Sequence, residues 1–282
     1  FRRVLFRSDP NEVWVFEIVG TGSTDPQNDT GSVWVAPRVP DGHITAHANQ
    51  ARIRDFPRND PENCLYSPNV ESFAIESGRY DPESDKPFSF EAAYGGTGDL
   101  TKRACEKRVW SFFRRVAPSL NLSEDYAQGV PDAELYPWSI IPDKKLSAAD
   151  VMALTRDRYD GTPYDMRTGI DAGPYGNPLR NRPLSWSVDG VRYAWERPIS
   201  VPQTCCTIVT QSRAELPNEI GGLTWFGWDD AYTSCYFPLY MGMSEIPDCC
   251  QSGNIDRYDP NSSWWIFNFV ANYAYGRFSE VF

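Results

Sequence analysis

The sequence predicts an α+β fold, because strand-like segments form antiparallel hairpins and are interrupted by segments of helical period. Two apolar runs flank a polar loop near the start, and an Asp-Gly turn joins two further runs at Asp189-Gly190. The third observation is the helical spacing of apolar residues between Thr101 and Val116. Strands in hairpins with separate helices are typical of stacked sheet and helix layers, not of alternating βαβ units.

The first 50 residues contain three predicted strands. Val13–Val19 is apolar on both faces, as a buried central strand is, and Ser32–Ala36 forms a second strand after a polar loop at residues 20–31. His43–Asn49 alternates strictly between polar and apolar side chains, which predicts a third strand. Its polar face, turned to solvent or to a cleft, carries His43, Thr45, His47 and Asn49.

Three helices are predicted. Thr101–Val116 has apolar residues at helical spacing, and its basic residues are interpreted as a solvated face. Ser147 with Asp150 resembles a capping box that begins a second helix. Trp264–Tyr275 is a short apolar run, too short for a membrane span, and predicts a buried helix capped by Ser262 or Ser263.

The second half contains a hairpin and two more strands. Ser185–Trp195 folds back at Asp189-Gly190, and Cys205–Ser212 and Gly222–Trp228 read as strands. Residues 161–184 lack an evident period; a loop of this length is usually functional.

Charge and hydropathy exclude two classes of partner. The net charge of −11 makes the phosphate backbone of a nucleic acid a poor partner. No run of apolar residues is long enough to cross a membrane. The many aromatic residues (10 Trp, 15 Tyr and 15 Phe) fit a dense core, an aromatic-lined cleft, or both.

The 7 cysteines are interpreted mainly as small buried apolar residues, because a chain of 282 residues does not need a disulfide framework. The odd number leaves at least one unpaired. The neighbours Cys205 and Cys206 would point to opposite faces of a strand and would not touch. Neither this pair nor Cys249 with Cys250 has the spacing of a metal site.

No local motif identifies a reaction. His43 and His47 would lie about 13 Å apart in a strand, too far to share a metal. A pair of His47 with Cys64 is conceivable, although nothing in the spacing supports it. Gly95–Gly98 does not follow a clear strand, so a phosphate-binding loop is weakly supported.

The first eight residues of the sequence have an unusual composition. Residues 1–8 contain no initiating Met and no signal-peptide pattern, and they resemble read-through of a sequencing adapter. We therefore expect residues 1–8 to be a non-native leader and residues 9–282 to be the middle and C-terminal part of a single catalytic domain. Tight packing of the leader into the core would argue against this interpretation.

Several segments, in the same order along the chain, resemble the cysteine dipeptidases of the dipeptidase A and secreted-dipeptidase type. No single segment is decisive, but the ordered set is specific. The segments are Glu12–Gly20, Val33–Gly42, His47–Ile53, Arg108–Phe113, Pro142–Ser147, Asp150–Met152 with Gly161–Pro163, Ala172–Tyr175, Gln211–Arg213, Leu216–Asn218 with Ile220–Gly222, Trp225–Gly227 and Phe267–Asn272.

The resemblance implies an αββα sandwich of the N-terminal-nucleophile hydrolases, of which this chain would hold a part. It also implies hydrolysis of dipeptides without a cofactor or metal. The nucleophile in such enzymes is an N-terminal cysteine, whose own α-amino group, with a pKa of about 7.7–8.0, serves as the base. The thiol forms an acyl-enzyme that water releases.

Two residues are candidates for the site by this resemblance. Asn49 matches the position of an asparagine that holds the tetrahedral oxyanion; the alternative for Asn49 is a strand-end residue that satisfies a turn. Arg197 would anchor a carboxylate or hold the thiolate; the alternative for Arg197 is a surface ion pair.

The chain departs from the resemblance at the nucleophile. Phe1 is not a nucleophile and no cysteine lies near the start, so we expect an inactive fragment with an exposed sheet surface. Such a surface would also favour a homo-oligomer. The competing hypothesis is an aromatic-rich module that binds peptides or carbohydrates, which requires exposed coplanar rings.

Overall fold

The computed structural model describes residues 2–8, 11–22, 31–95, 99–180 and 182–282. The chain divides into two compact units, Phe1–Lys144 and Lys145–Phe282. Each unit combines small antiparallel sheets with helices, so the α+β prediction is confirmed. Among the described residues, no helix combines the length and the apolar character that crossing a membrane requires.

The first unit is built on a four-stranded antiparallel sheet with the order β1-β2-β3-β5. The predicted strands at residues 13–19 and 32–36 are both present, and each extends by one residue. A separate pair of short strands, β4 and β6, lies outside this sheet. The strands of the first unit are β1 (Arg2–Ser8), β2 (Val13–Gly20), β3 (Ser32–Pro37), β4 (Ile44–Thr45), β5 (Cys64–Tyr66) and β6 (Ser139–Ile140).

The segment predicted to be a leader extends the sheet. β1 pairs with β2 along its whole length, from Arg2 opposite Val19 to Ser8 opposite Val13. Pairing with β2 does not show whether this segment is native. That residues 1–8 are a non-native leader therefore stays a prediction.

Strand β2 is buried on one face by alternate side chains. Val15, Glu17 and Val19 are buried, whereas the residues between them are half-buried. Val19 packs into a core cluster with β3 and with the aromatic residues Phe90 and Tyr94. Glu17 is the exception, because a carboxylate is rarely buried unless it is paired.

Four helices belong to the first unit: α1 (Ser72–Glu76), α2 (Phe90–Tyr94), α3 (Asp99–Val116) and α4 (Asp125–Gln128). Helix α3 confirms the longest helix prediction, and Cys105, Val109 and Phe113 are buried at the expected spacing. The solvated-face interpretation is wrong for Lys107, which is buried, and for Arg108, which is half-buried. Both are folded against other residues of the chain.

The predicted strand His43–Asn49 is largely wrong. Only Ile44 and Thr45 pair as a strand, and the chain then leaves the extended conformation. Asn49 adopts φ +62°, a left-handed conformation that a strand does not contain. The carbonyl oxygen of Ala46 accepts a hydrogen bond from Arg52 Nη1 at 3.0 Å instead of pairing with a strand.

The second unit contains a three-stranded antiparallel sheet, β11-β10-β9, and a separate two-stranded hairpin, β7-β8. Its strands are β7 (Ser185–Val188), β8 (Val191–Ala194), β9 (Cys206–Ser212), β10 (Gly222–Trp228) and β11 (Tyr236–Tyr240). Its helices are α5 (Ala148–Thr155), α6 (Asn218–Gly221), α7 (Asp248–Gln251), α8 (Ser263–Ala274) and α9 (Phe278–Val281).

Local sequence signals in the second unit are largely confirmed. The hairpin turns at Asp189 and Gly190, both with positive φ, as a two-residue turn of primed type requires. The capping box of Ser147 and Asp150 starts α5 with both reciprocal hydrogen bonds. The described residues of the segment 161–184, which are 161–180 and 182–184, are irregular apart from a 3-10 turn at Ile170–Ala172.

Helix α8 corrects the prediction of a buried helix. Ser262 is its N-cap residue, but the serine side chain makes no capping hydrogen bond. Ala271 and Ala274 are buried, whereas Phe269 and Tyr273 are 60% and 77% exposed. The fully buried positions of the helix are therefore small residues, and several of its large apolar side chains lie on the surface.

Candidate active site

Asn49 lies at an exposed bend of the first unit, four residues after the short strand β4 ends at Thr45. Its side-chain Oδ1 accepts a hydrogen bond from Arg108 Nη1 at 2.9 Å, and Arg108 projects from helix α3. Asparagine tolerates the left-handed conformation found here better than most residues, because its short polar side chain can bond locally. The side chain is thus held by a partner 59 residues further along the chain.

The contact with Arg108 fixes the direction of the Asn49 amide. A guanidinium group carries only donors, so the atom facing it must be the carbonyl oxygen. The amide nitrogen Nδ2 is consequently turned away from Arg108, and no described residue accepts a hydrogen bond from it. An oriented, unoccupied N–H donor is the group that an oxyanion site needs.

The turn that carries Asn49 is anchored by the buried Glu17. Glu17 Oε1 accepts hydrogen bonds from the backbone nitrogens of Arg52, at 2.6 Å, and Ile53, at 3.2 Å. His47 Nδ1 lies 3.1 Å from the same oxygen, and both side chains are almost fully buried. One carboxylate therefore ties the chain down on either side of Asn49.

A second buried carboxylate, Glu106 of α3, completes this anchor. Its Oε1 accepts hydrogen bonds from Gln50 Nε2 at 2.6 Å and from Arg52 Nε at 3.2 Å. The side chains of Arg52 and Glu106 are each 1% exposed. Arg52 also donates to the carbonyl oxygen of Pro137 at 3.0 Å, so the ion pair is supported by further hydrogen bonds.

A cleft of about 400 Å³ lies beside this anchored segment. Residues 52–57 form one wall, and Arg38, Asn63 and Trp138 contribute to the others. Arg54 donates from Nε to Glu91 Oε2 at 2.9 Å, which leaves its Nη2 without a hydrogen-bond partner among the described residues. The volume falls in the range of small-molecule sites.

The two histidines have separate partners. His43 Nδ1 lies 3.0 Å from Ser139 Oγ, and His47 is held between Glu17 and Thr45. In the part of the chain that the structure describes, no group of three or more His, Cys, Asp or Glu residues is placed to hold a metal ion.

Three of the cysteines lack the environment of a thiol activated for catalysis. A catalytic cysteine usually has a lowered pKa, whereas burial raises the pKa of Cys64 to about 11, with Asp60 adding to the effect. The pKa of Cys206 and that of Cys250 are also raised, in both cases first by burial. The conceived pair of His47 and Cys64 gains no support, since His47 contacts Glu17 and Thr45.

All seven cysteines are free thiols, but the prediction that most are buried is wrong. Cys64 and Cys105 are buried, and the other five are exposed or half-buried. The prediction that Cys205 and Cys206 do not touch is also wrong, because their sulfur atoms are 3.8 Å apart. Strand β9 begins only at Cys206, so the alternation of a strand does not apply to both residues.

Arg197 belongs to the second unit, where its backbone is fixed and its side chain is exposed. Its carbonyl oxygen accepts a hydrogen bond from the hydroxyl of the buried Tyr159 at 2.8 Å. No described residue forms an ion pair or hydrogen bond with its guanidinium, so the alternative of a surface ion pair is not what the structure shows. Asn49 lies in the first unit and Arg197 in the second.

Sequence reasoning missed a buried acidic pair in the second unit, Asp229 and Asp230. Asp230 Oδ1 accepts hydrogen bonds from Ser200 Oγ and from the backbone nitrogen of Tyr232, both at 2.8 Å. Its Oδ2 accepts from the hydroxyl of Tyr275, whose pKa is raised by burial and by Asp230 itself. Three donors therefore hold the side chain of Asp230 in place.

Asp229 differs sharply from its neighbour. It is buried, has φ +62°, and its Oδ2 has no hydrogen-bond partner among the described residues. Burial, followed by the charge of Asp230, raises the pKa of Asp229 to about 6. The only sequence signal was two adjacent aspartates after a strand, which is too common a pattern to identify such a site.

The hypothesis of an aromatic-rich binding module required exposed coplanar rings. All ten tryptophans lie among the described residues and none is exposed. Trp186 and Tyr193 stack across the β7-β8 hairpin with centroids 6.2 Å apart, but this is a single cross-strand pair. Several coplanar exposed rings, as that hypothesis required, are not found in the described residues.

Comparison with known proteins decides the family. The model of Peptidase family C69 matches residues 3–282. The chain belongs to peptidase family C69. This confirms the resemblance to the cysteine dipeptidases, and the match begins inside the segment predicted to be a leader.

The family's curated relatives are named as dipeptidases. This C69 chain is 30% identical to a probable dipeptidase of Salmonella dublin over 88% of its length, and 27% identical to a probable dipeptidase of Latilactobacillus sakei over 97%. It is 21% identical to dipeptidase A of Lactobacillus helveticus over 98%. It covers 49%, 50% and 51% of these relatives, so the chain spans about half their length.

Proposed function

We propose that this C69 chain supplies the oxyanion-stabilising and substrate-anchoring part of a dipeptidase, within an αββα sandwich of the N-terminal-nucleophile class. The reaction would be hydrolysis of a dipeptide through a cysteine acyl-enzyme. The family and the names of the relatives support the reaction class. The observation that carries the role of this chain is the amide of Asn49, oriented by Arg108 with its Nδ2 donor unoccupied.

Asn49 would act when the peptide carbonyl becomes tetrahedral. A neutral amide donor stabilises the developing O⁻ without binding a charged product tightly. The anchoring by Glu17 and Glu106 supports this role, because an oxyanion donor must be held in place before the reaction. Arg108 would be a positioning residue for Asn49, because its Nη1 donates to the amide oxygen while its Nε and Nη2 are bonded to the carbonyl oxygen of Ala104 and to the sulfur of Cys105.

Arg197 would bind the substrate carboxylate or hold the thiolate of the nucleophile. Its exposed guanidinium on a fixed backbone suits bidentate recognition of a carboxylate. The cleft beside residues 52–57 has a volume that fits a dipeptide.

None of the seven cysteines of this chain is proposed as the nucleophile, since burial raises the pKa values of three, and Cys105, which accepts a hydrogen bond from Arg108, is itself buried. We therefore expect the 282-residue polypeptide alone to show no dipeptidase activity. A dipeptidase assay with the purified chain tests this. Hydrolysis that disappears on substitution of any one of these cysteines would contradict it.

An inactive chain allows binding to be measured at equilibrium. We would titrate the chain with a dipeptide and with its phosphinic analogue, whose tetrahedral centre carries a negative oxygen. The Asn49→Ala variant is expected to weaken binding of the analogue by about 10- to 100-fold and to leave dipeptide binding nearly unchanged, because it removes a hydrogen bond to a charged group. The Arg197→Ala variant is expected to weaken both ligands equally.

Two matched variants serve as controls. Asn121 is also exposed with a left-handed backbone, at φ 43°, and Arg192 is also an exposed arginine of the second unit. Asn121→Ala and Arg192→Ala should bind both ligands like the unaltered chain. Equal loss of both ligands in Asn49→Ala, or unchanged binding in Arg197→Ala, would refute the respective role.

A further inference from the structure

Two pairs of adjacent cysteines lie in the second unit, near one tryptophan. Cys206 is the residue opposite Trp228 in the register of β9 and β10. Cys250 of α7 interacts through its thiol with the side chains of Trp228 and Ser263. In the first pair, the sulfur atoms of Cys205 and Cys206 are in contact, 3.8 Å apart.

The two thiols of the first pair differ in access. Cys205 is exposed and Cys206 is half-buried. A small oxidant in solution therefore reaches the sulfur of Cys205, while the sulfur of Cys206 lies behind it at contact distance. This is the arrangement of an attacking and a resolving thiol.

We propose that Cys205 and Cys206 form a reversible oxidation site that reacts with low-molecular-weight disulfides of the glutathione type. The Cys205 thiolate, after loss of its proton to solvent, attacks one sulfur of the disulfide and displaces one glutathione thiolate. The Cys206 thiolate then attacks Cys205 Sγ in the mixed disulfide and displaces the second. The two cysteines lose two electrons and two protons, and one glutathione disulfide becomes two molecules of reduced glutathione.

The resulting disulfide is expected to be easily reduced. The peptide bond between Cys205 and Cys206 is trans, so their Cα atoms are about 3.8 Å apart. Ordinary disulfides join Cα atoms about 4.4–6.8 Å apart, and departures from that range store strain that makes the bond more reducible. A labile disulfide on the surface has the character of a regulatory bond, not a structural one.

One hydrogen bond links this pair to the buried acidic pair. The carbonyl oxygen of Cys205 accepts a hydrogen bond from the backbone nitrogen of Asp229 at 2.9 Å. That carbonyl belongs to the peptide group enclosed by the disulfide ring. Ring closure constrains the peptide group, so oxidation acts directly on the contact that holds Asp229.

The reaction can be followed on the unaltered chain, so no variant needs to fold for the main test. The reduced chain is incubated with glutathione disulfide, remaining thiols are alkylated, and the peptides are mapped by mass. We expect the peptide with Cys205 and Cys206 to lose two hydrogen masses, to gain no glutathione, and to return to the dithiol with dithiothreitol. A stable glutathione adduct, an unreacted pair, or a bond from either residue to another cysteine would overturn the proposal.

Variants identify the role of each thiol. Cys206→Ser should stop at a glutathione adduct on Cys205, and Cys205→Ser should leave Cys206 unreacted over the same time. The double variant of Cys249 and Cys250 to serine is the matched control and should react like the unaltered chain. Because Cys206 lies opposite Trp228, tryptophan fluorescence should fall when this control is oxidised. It should not fall when Cys205→Ser is treated in the same way. A fall in both variants would contradict the assignment of the reaction to Cys205 and Cys206.

Discussion

At the scale of single residues, the buried carboxylates divide by how well they are paired. Glu17 and Asp230 each accept several hydrogen bonds, whereas one oxygen of Asp229 accepts none from the described residues. Pairing favours the charged form of a carboxyl group, and burial without a partner favours the neutral form. Burial thus raises the pKa of Asp229 toward neutral pH.

Asp229 is expected to make the chain less stable as the pH rises. Its pKa is about 6 in the folded chain and near the ordinary value of 3.8 in the unfolded chain. The folded state therefore binds the extra proton between these values, and the stability that the proton provides is lost as the pH rises through about 6. At pH 8 the ionised group would cost on the order of 2 to 3 kcal/mol.

The Asp229→Asn variant should remove this dependence. We expect it to be more stable than the unaltered chain at pH 8, with little difference at pH 4, as measured by urea unfolding. Asp189→Asn is the control, because Asp189 also has a positive φ but is exposed in the β7-β8 turn. A pH dependence that is the same in both variants would show that Asp229 is not its source.

At the scale of elements, helix α8 shows that apolar composition does not decide burial. Tyr273 is 77% exposed, while its neighbour Ala274 is fully buried. We expect Tyr273→Gln to change the free energy of unfolding by no more than about 0.5 kcal/mol. Ala274→Leu should lower it by about 1–3 kcal/mol, because added methylene groups do not fit a filled interior.

Urea unfolding of the two variants distinguishes the faces of α8. Both positions lie in the same helical turn, so a change in helix propensity does not explain a large difference between them. Equal destabilisation would mean that the Tyr273 side chain is covered in solution, contrary to the exposure seen here.

The sequence predicted the elements whose signals are local. Such signals were sufficient to predict the β7-β8 hairpin from its turn at Asp189 and Gly190, helix α5 from the capping box at Ser147, and helix α3 from its helical period. Strand β5 was missed because three residues carry no period, and β11 was missed because Pro238 interrupts it. Pro238 is tolerated because β11 is an edge strand of its sheet.

The candidate site was less predictable than the fold. Asn49 was identified only through the family resemblance, since its turn depends on Glu17 and Glu106, distant in sequence. The role of Arg108 was hidden because a basic helix residue usually faces solvent. Asp229 and Asp230 were missed for the same reason: burial, which gives them their properties, is decided by tertiary packing.

At the scale of the whole molecule, each unit buries apolar residues of its own. The first unit packs Val33, Val35 and Phe90 together in one buried cluster. The second unit buries Leu154, Tyr159, Leu223 and Phe278. A compact segment with its own hydrophobic core can fold independently.

We therefore expect cleavage at the boundary to leave two folded pieces. Lys144 and Lys145 are both exposed in an irregular segment, which favours cutting by trypsin. Brief digestion should yield a fragment ending near residue 144 and one beginning near residue 145, and each should unfold cooperatively when separated. Since Arg108 holds Asn49 within the first unit, that fragment should also keep the Asn49 amide signals of the whole chain in NMR spectra. Loss of cooperative unfolding in either fragment would show that the units fold only as one domain, as the sequence led us to expect.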